Sequence, residues 1–170
     1  MSALSVLYLV LPFPLAFIIH DAEETFVQHR WMLAHNESLV VKFPRMRPMI
    51  EHLSALGTKA FAIAALEELM VLLAATCYVL IDGTYAMQLW SALFLAFSVH
   101  LLVHIVQAVC FRGYVPGLVS TILLLPYSFL GVESIWYAMS AMELTLWGAM
   151  GIVLMIANLR FAHWLGSKFM

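Results

Sequence analysis

Charge is the scarcest thing in this sequence. Asp, Glu, Lys and Arg make up 11% of its 170 residues, where an ordinary soluble domain carries about 25%. A chain of this size in water needs a polar coat, and this one has 64% apolar residues and a mean hydropathy of +0.96. Lipid must therefore be the solvent for most of its surface. The formal charge of -2 comes with no basic patch interleaved with aromatics, which excludes nucleic acid as a partner. Glycine-rich phosphate loops and dinucleotide fingerprints are missing, so nucleotide chemistry is excluded too. Ser98, Ser120 and Ser128 lack a GxSxG context, and no nucleophile motif competes. The two cysteines, Cys77 and Cys110, sit in separate apolar segments. They are expected as small buried hydrophobes that report nothing about redox compartment.

What the sequence has in abundance is long apolar runs. A spanning helix needs about 20 apolar residues at about 1.5 Å each, and that ruler predicts spans over 3–24, 57–81, 87–110, 115–137 and 141–164. The first run lacks a basic leader and a small-residue cleavage site before His20, so it reads as a retained span rather than a signal peptide. The expected fold is all-α, an integral membrane bundle of about five transmembrane helices forming one domain over residues 1–170. The only substantial polar stretch, around 29–56, carries Arg30, Lys42, Arg45 and Arg47, with Pro44 and Pro48 as breakers. It reads as an interfacial loop or short amphipathic helix. Short loops rich in Lys and Arg stay cytoplasmic. Putting that loop inside also brings Lys59, Arg112, Arg160 and Lys168 to the same side, so the N-terminus is expected outside and the C-terminus in the cytoplasm. An odd number of spans argues against an inverted-repeat transporter, although a homodimer would restore the symmetry. Pro12 and Pro14 are expected to bend the first span.

An ionisable side chain deep in a bilayer is costly and marks a functional site by default. Here such groups are clustered. His20, Asp21, Glu23 and Glu24 follow one another at the end of the first run, and spacings of three and four put His20, Glu23 and Glu24 on neighbouring positions of one helix face. Glu67 and Glu68 lie roughly 15 Å into the second span, and adjacent residues point about 100° apart, so one of the two faces the bundle centre. His100, His104 and Gln107 form an i, i+4, i+7 stripe on the third span. Two imidazoles at i and i+4 are the usual helical grip on a first-row metal. On the topology argued from charge, all three groups share the cytoplasmic half of the membrane. Glu133 and Glu143 are solitary and are assigned no ligand role. His29, His35 and His52 fall in the polar stretch, where a solvated histidine is the default, and His163 sits near the last helix end.

These residues in this order resemble the HXXEE-domain family of polytopic membrane proteins. The string His20-Asp21-Ala22-Glu23-Glu24 carries the signature, and Glu67-Glu68, the His100, His104, Gln107 stripe and the turn Tyr114 to Gly117 follow as in the family's pattern. The resemblance implies a metal-binding membrane protein or enzyme and leaves its reaction open.

The expectation drawn from the residues is a metal-dependent enzyme acting on a lipid or other hydrophobic small molecule that enters from the bilayer. The metal ligands would come from His20, Glu24, Glu67, His100 and His104, with Glu23 and Glu68 in acid–base roles and Gln107 holding substrate or orienting His104. Zinc is the favoured divalent metal, since with His20, His100, His104 and one carboxylate it is expected to leave a position for water of lowered pKa, which gives hydrolase chemistry. The alternatives are a di-iron oxygenase or desaturase and a metal or proton carrier. The expected location is the bacterial inner (plasma) membrane.

Overall fold

The computed structural model describes residues 6–169, and among them every regular element is helical. A single π-helical turn, Val6–Val10, leads into α1 (Phe13–Lys42). A 3-10 turn, Pro44–Met46, and the short α2 (Arg47–Ala55) follow. Four long helices complete the bundle: α3 (Thr58–Leu80), α4 (Ala86–Phe111), α5 (Leu118–Ala138) and α6 (Ala141–Ser167).

Among the described residues, these four are the helices long and apolar enough to cross a membrane. Their ends lie within a few residues of the boundaries expected from hydropathy. The expected first span starts outside the described residues and ends on the first half of α1, a helix that carries Asp21, Glu23 and Glu24 there and Arg30 just beyond and is not apolar enough to join them. Large apolar side chains stand exposed on the outside of the bundle, among them Leu66 and Met70 on α3, Val106 and Val109 on α4, Leu123 and Phe129 on α5, and Val153 on α6. In water such a surface would aggregate; in lipid it is solvated. Cys77 and Cys110 belong to that outer surface. They are not the buried hydrophobes expected, because both fall on helix faces that no other helix covers.

The bundle closes around aromatic rings. Phe13 of α1 meets Trp90, Phe94 and Phe97 of α4 with ring centroids 5.7, 5.0 and 5.4 Å apart, the edge-on and tilted geometries that aromatic quadrupoles favour. These residues recur at three- and four-residue spacing on α4, so one face of that helix supplies the whole cluster. On the opposite side of α4, Gly151 of α6 lies against the Ala92 backbone, where a methyl group would overlap the carbonyl. Two small residues at the crossing let these helices touch backbone to backbone, as is common between helices in membranes.

Two local expectations are corrected. Pro12 and Pro14 stand at the start of a helix and not inside one: the π-helical turn ends at Val10, Pro12 is the cap residue of α1 and Pro14 lies in its first turn, where a missing N–H costs nothing. The polar stretch from residue 29 is also not a loop as far as Lys42, because α1 continues through it. No Pro or Gly interrupts residues 29–42, and Met32 and Leu39 bury a stripe against Ile50 of α2. Lys42 Nζ donates to the carbonyl of Phe111 at 2.9 Å, fastening the end of α1 to the end of α4. The first true breaker is Pro44.

Candidate metal centre

α1 and α4 run side by side, and their polar positions meet one level beyond the aromatic cluster. His20 and Glu24 come from consecutive turns of α1, His100 and His104 from consecutive turns of α4. One ligand atom from each of the four lies within 4.8 Å of all the others. Glu24 is the hub: one carboxylate oxygen is 3.8 Å from His20 Nε2 and 3.5 Å from His100 Nε2, and the other is 3.5 Å from His104 Nε2. The two Nε2 atoms of His100 and His104 are 3.0 Å apart. In a tetrahedral shell with bonds of about 2.0–2.1 Å, ligand atoms sit about 3.3 Å from one another. The observed separations bracket that value.

The state of His20 follows from its other nitrogen. Ser120, in the first turn of α5, donates its hydroxyl proton to a Glu23 oxygen 2.6 Å away. Having no second proton, the same Oγ accepts from His20 Nδ1 at 3.0 Å. The Nε2 lone pair is thereby turned into the cluster, and that atom is buried with no hydrogen-bond partner. An orphaned, unprotonated imidazole nitrogen facing a carboxylate and two more imidazoles is what a metal ligand needs. The donor set fits a divalent ion with N/O preference such as zinc.

Glu23 does not face this cluster. Its carboxylate receives the Ser120 hydroxyl, the Ser120 N–H at 2.7 Å, the Val119 N–H at 3.3 Å and the Tyr114 hydroxyl at 2.7 Å. It thus caps α5 from another helix, where free N–H groups and the helix dipole favour a negative charge. Burial first, and then the hydrogen bond to Glu23, push the Tyr114 phenol above its ordinary range, so it remains a donor. Gly117, at the head of α5, has φ +82°, and a Cβ there would stand 2.8 Å from His104 Cε1. The turn must be bare for the imidazole to fit.

Glu24 and His100 form part of the wall of a cavity of about 910 Å³ lined by α1, α3, α4 and α6. Glu68 and Asp21 share that wall. Of the adjacent acidic pair, Glu68 turns to the cavity, whereas Glu67 accepts from Asn158 Nδ2 of α6 at 3.1 Å and is not among the four clustered ligands. Gln107 is exposed on the outside of α4, one turn past His104, and makes no hydrogen bond to the cluster.

The remaining candidates serve the scaffold. Glu143 and Ser140 form a reciprocal capping box at the start of α6, and Glu133 is exposed. His29 contacts the Leu56 carbonyl and His35 the Trp31 carbonyl. His163, read from sequence as a helix-end residue, lies on the cavity wall. Three contributors escaped the sequence reading. Asp21 was visible in the motif, one turn before Glu24, but nothing marked its direction. Ser120 and Tyr114 gave no local signal, since their roles depend on α5 meeting α1.

Residues 11–131 match a family model described as a protein of unknown function with HXXEE motif. No curated protein and no solved structure matches the chain.

Proposed function

The chain belongs to the HXXEE-motif family, and on that premise we propose that it is a membrane metalloenzyme of hydrolase type acting on a hydrophobic substrate. The observation that carries the reading is the juxtaposition of four ligand atoms within 4.8 Å, one of them an orphaned buried nitrogen, with a largely apolar cavity of about 910 Å³. A cavity walled by four helices receives a molecule from lipid more readily than one from water.

His20, His100, His104 and Glu24 would hold the ion, with zinc favoured because three imidazoles and a carboxylate suit it. When bound, the ion would supply Lewis acidity, and it would lower the pKa of a water admitted in place of the Glu24 carboxylate, which leaves the three imidazoles as the fixed ligands. The rest falls to the chain. Glu24 is centred among the three imidazoles and neutralises part of the positive charge. Ser120 and Glu23 keep His20 in the Nδ1–H form, so that its Nε2 faces inward. Glu68 shares the wall with Glu24 and His100 and is suited to take the proton from attacking water and return it to the leaving group. Phe13, Phe17 and Phe97 exclude bulk water from the other end.

A di-iron oxygenase would draw on several bridging carboxylates, and Glu23 and Glu67 are engaged with other partners. A metal or proton carrier needs polar groups on both sides of its site, and the cavity beyond Phe97 is apolar. The charge distribution favours the C-terminus on the cytoplasmic side, in a plasma membrane.

Elemental analysis of the detergent-purified protein tests the reading. One zinc per chain, lost in His100→Ala and in Glu24→Gln while both variants remain helical, supports it. A wild-type protein that carries no metal and takes up none would overturn it.

A further inference from the structure

An ion held by His20, Glu24, His100 and His104 must reach them from water, and most of the bundle gives it no way in. The outer faces of α3 to α6 are apolar, and the end of the cavity at Phe13 and Phe17 is walled by aromatic rings. Stripping water from a divalent cation in such surroundings is costly unless protein groups replace it.

Three contacts locate the polar end. His29 of α1 contacts the carbonyl of Leu56 at 3.0 Å, at the point where α2 gives way to α3. His163 of α6 packs edge-on to Phe61 in the first turn of α3, with centroids 5.6 Å apart, whereas Asn158 bonds Glu67, so α6 runs antiparallel to α3. Thr25, Phe61 and His163 line the cavity and therefore sit at its end beside α2. Glu68, which shares the wall with Glu24 and His100, lies about 10 Å deeper along α3 at about 1.5 Å per residue.

A second imidazole stands at this end. His52, in the last turn of α2, is exposed, and its ring centroid is 5.9 Å from that of the half-buried His163. One member of the pair thus faces water and the other the cavity. His29 and His35 are tied to backbone carbonyls; among the described residues neither His52 nor His163 hydrogen-bonds a protein group. Their frame is fixed, because Gly166 lies against Ala60, where a Cβ would stand 2.4 Å from the carbonyl oxygen, and Ile50 of α2 packs on Met32 and Leu39 of α1. Two imidazoles are too few to keep a zinc ion, which takes three or four protein ligands. They suffice to exchange for waters of an ion in passing.

We propose that His52 and His163 form a transit site that passes the divalent ion from the aqueous face into the cavity and takes no part in holding it afterwards. This rests on reading the four-residue cluster as the metal site and adds to it the route of loading. Residues on a route slow entry and exit alike, since an equilibrium shifts only when one end state is favoured over the other.

The test is stopped-flow zinc uptake by the metal-free full chain in detergent, followed with a chromophoric chelator, together with zinc release into excess EDTA. His52→Ala and His163→Ala should each slow both rates by about tenfold, the low end of the gain in on-rate from concentrating an ion at a cleft mouth, with Kd unchanged. The double variant should be no slower than the slower single one, because the two rings act as a unit. His35→Ala, in the same polar region but off the cavity, should load at the wild-type rate. The exposed His52 can be replaced without loss of fold even where His163 cannot. Wild-type rates in His52→Ala would overturn the proposal, as would a weaker Kd at an unchanged on-rate, which would make the pair part of the resident site. A wild-type chain that takes up no zinc would overturn the four-ligand reading and the transit site with it; unchanged rates at the wild-type Kd overturn the transit site alone.

Discussion

Replacing Ser120 by alanine separates a metal site from a mere hydrogen-bonded cluster, because the two respond differently. In the wild type the Ser120 hydroxyl accepts from His20 Nδ1 at 3.0 Å and donates to Glu23 at 2.6 Å. Without it, Glu23 keeps its bonds from Tyr114, Val119 N and Ser120 N, so the cap on α5 survives at a cost of about 1 kcal/mol. In metal-free protein His20 has an escape: the proton moves to Nε2, which faces the Glu24 carboxylate 3.8 Å away and reaches it with a shift of about 1 Å or less, which is what hydrogen-bond distance requires. In metal-loaded protein that escape is closed, because Nε2 must keep its lone pair. Nδ1–H is then buried without an acceptor, which costs about 1–3 kcal/mol. At about 1.4 kcal/mol per tenfold, metal affinity falls between roughly 5- and 150-fold. This agrees with the 10- to 100-fold loss typical of removing a group that orients a ligating histidine, about 1.4–2.7 kcal/mol. The assay is competition for zinc with a chromophoric chelator, paired with thermal unfolding with and without metal, and Ser120→Thr serves as the control that keeps the hydroxyl. A Kd indistinguishable from wild type, or equal loss of Tm in the two metal states, would refute the reasoning.

Other substitutions probe different parts of the arrangement. Gly117→Ala combines a positive φ of +82° with a methyl 2.8 Å from His104; backbone strain of about 1–2 kcal/mol and overpacking of about 1–3 kcal/mol should lower Tm and metal affinity together, read by unfolding and chelator competition. Glu67→Gln should leave zinc content intact and cost under about 1 kcal/mol, since the amide can still accept from Asn158, whereas Glu24→Gln should abolish zinc retention; elemental analysis of the pair decides whether the two acids differ as described. Gly151→Val should separate α6 from the Ala92 backbone of α4 at a cost of about 3 kcal/mol or more, visible as a lower unfolding temperature in detergent. Stripping the ion with chelator should lower stability by about 2.7 kcal/mol where free metal stands at about 100 times Kd, and an unchanged Tm would argue that nothing had been bound.

Hydropathy and spacing carried much of this molecule. α3 to α6 could be marked on the chain because each apolar run is bounded by breakers or charge, and lipid leaves a helix few other ways to satisfy its backbone. The ligand pair on α4 was legible for a similar reason: two histidines at i and i+4 share a face whatever surrounds the helix. The same period linked His20 with both Glu23 and Glu24, and here it could not discriminate. Neighbouring positions on a helix differ by about 100°, which is enough for Glu24 to reach His100 while Glu23 reaches the head of α5. The pair Glu67 and Glu68 shows the same ambiguity, decided by α6 supplying Asn158 on one side and by the cavity lying on the other.

Helical spacing by itself therefore determined which residues could act together within each helix, because that geometry is local. Only the tertiary structure decided which of them do. His20, Glu24, His100 and His104 meet because the Phe13 contacts set the register of α1 against α4, and no periodicity in either helix encodes that register. Ser120 is the plainest case. In sequence it is a hydroxyl in an apolar run, and in the folded bundle it holds a proton between Glu23 and His20, one hundred residues away.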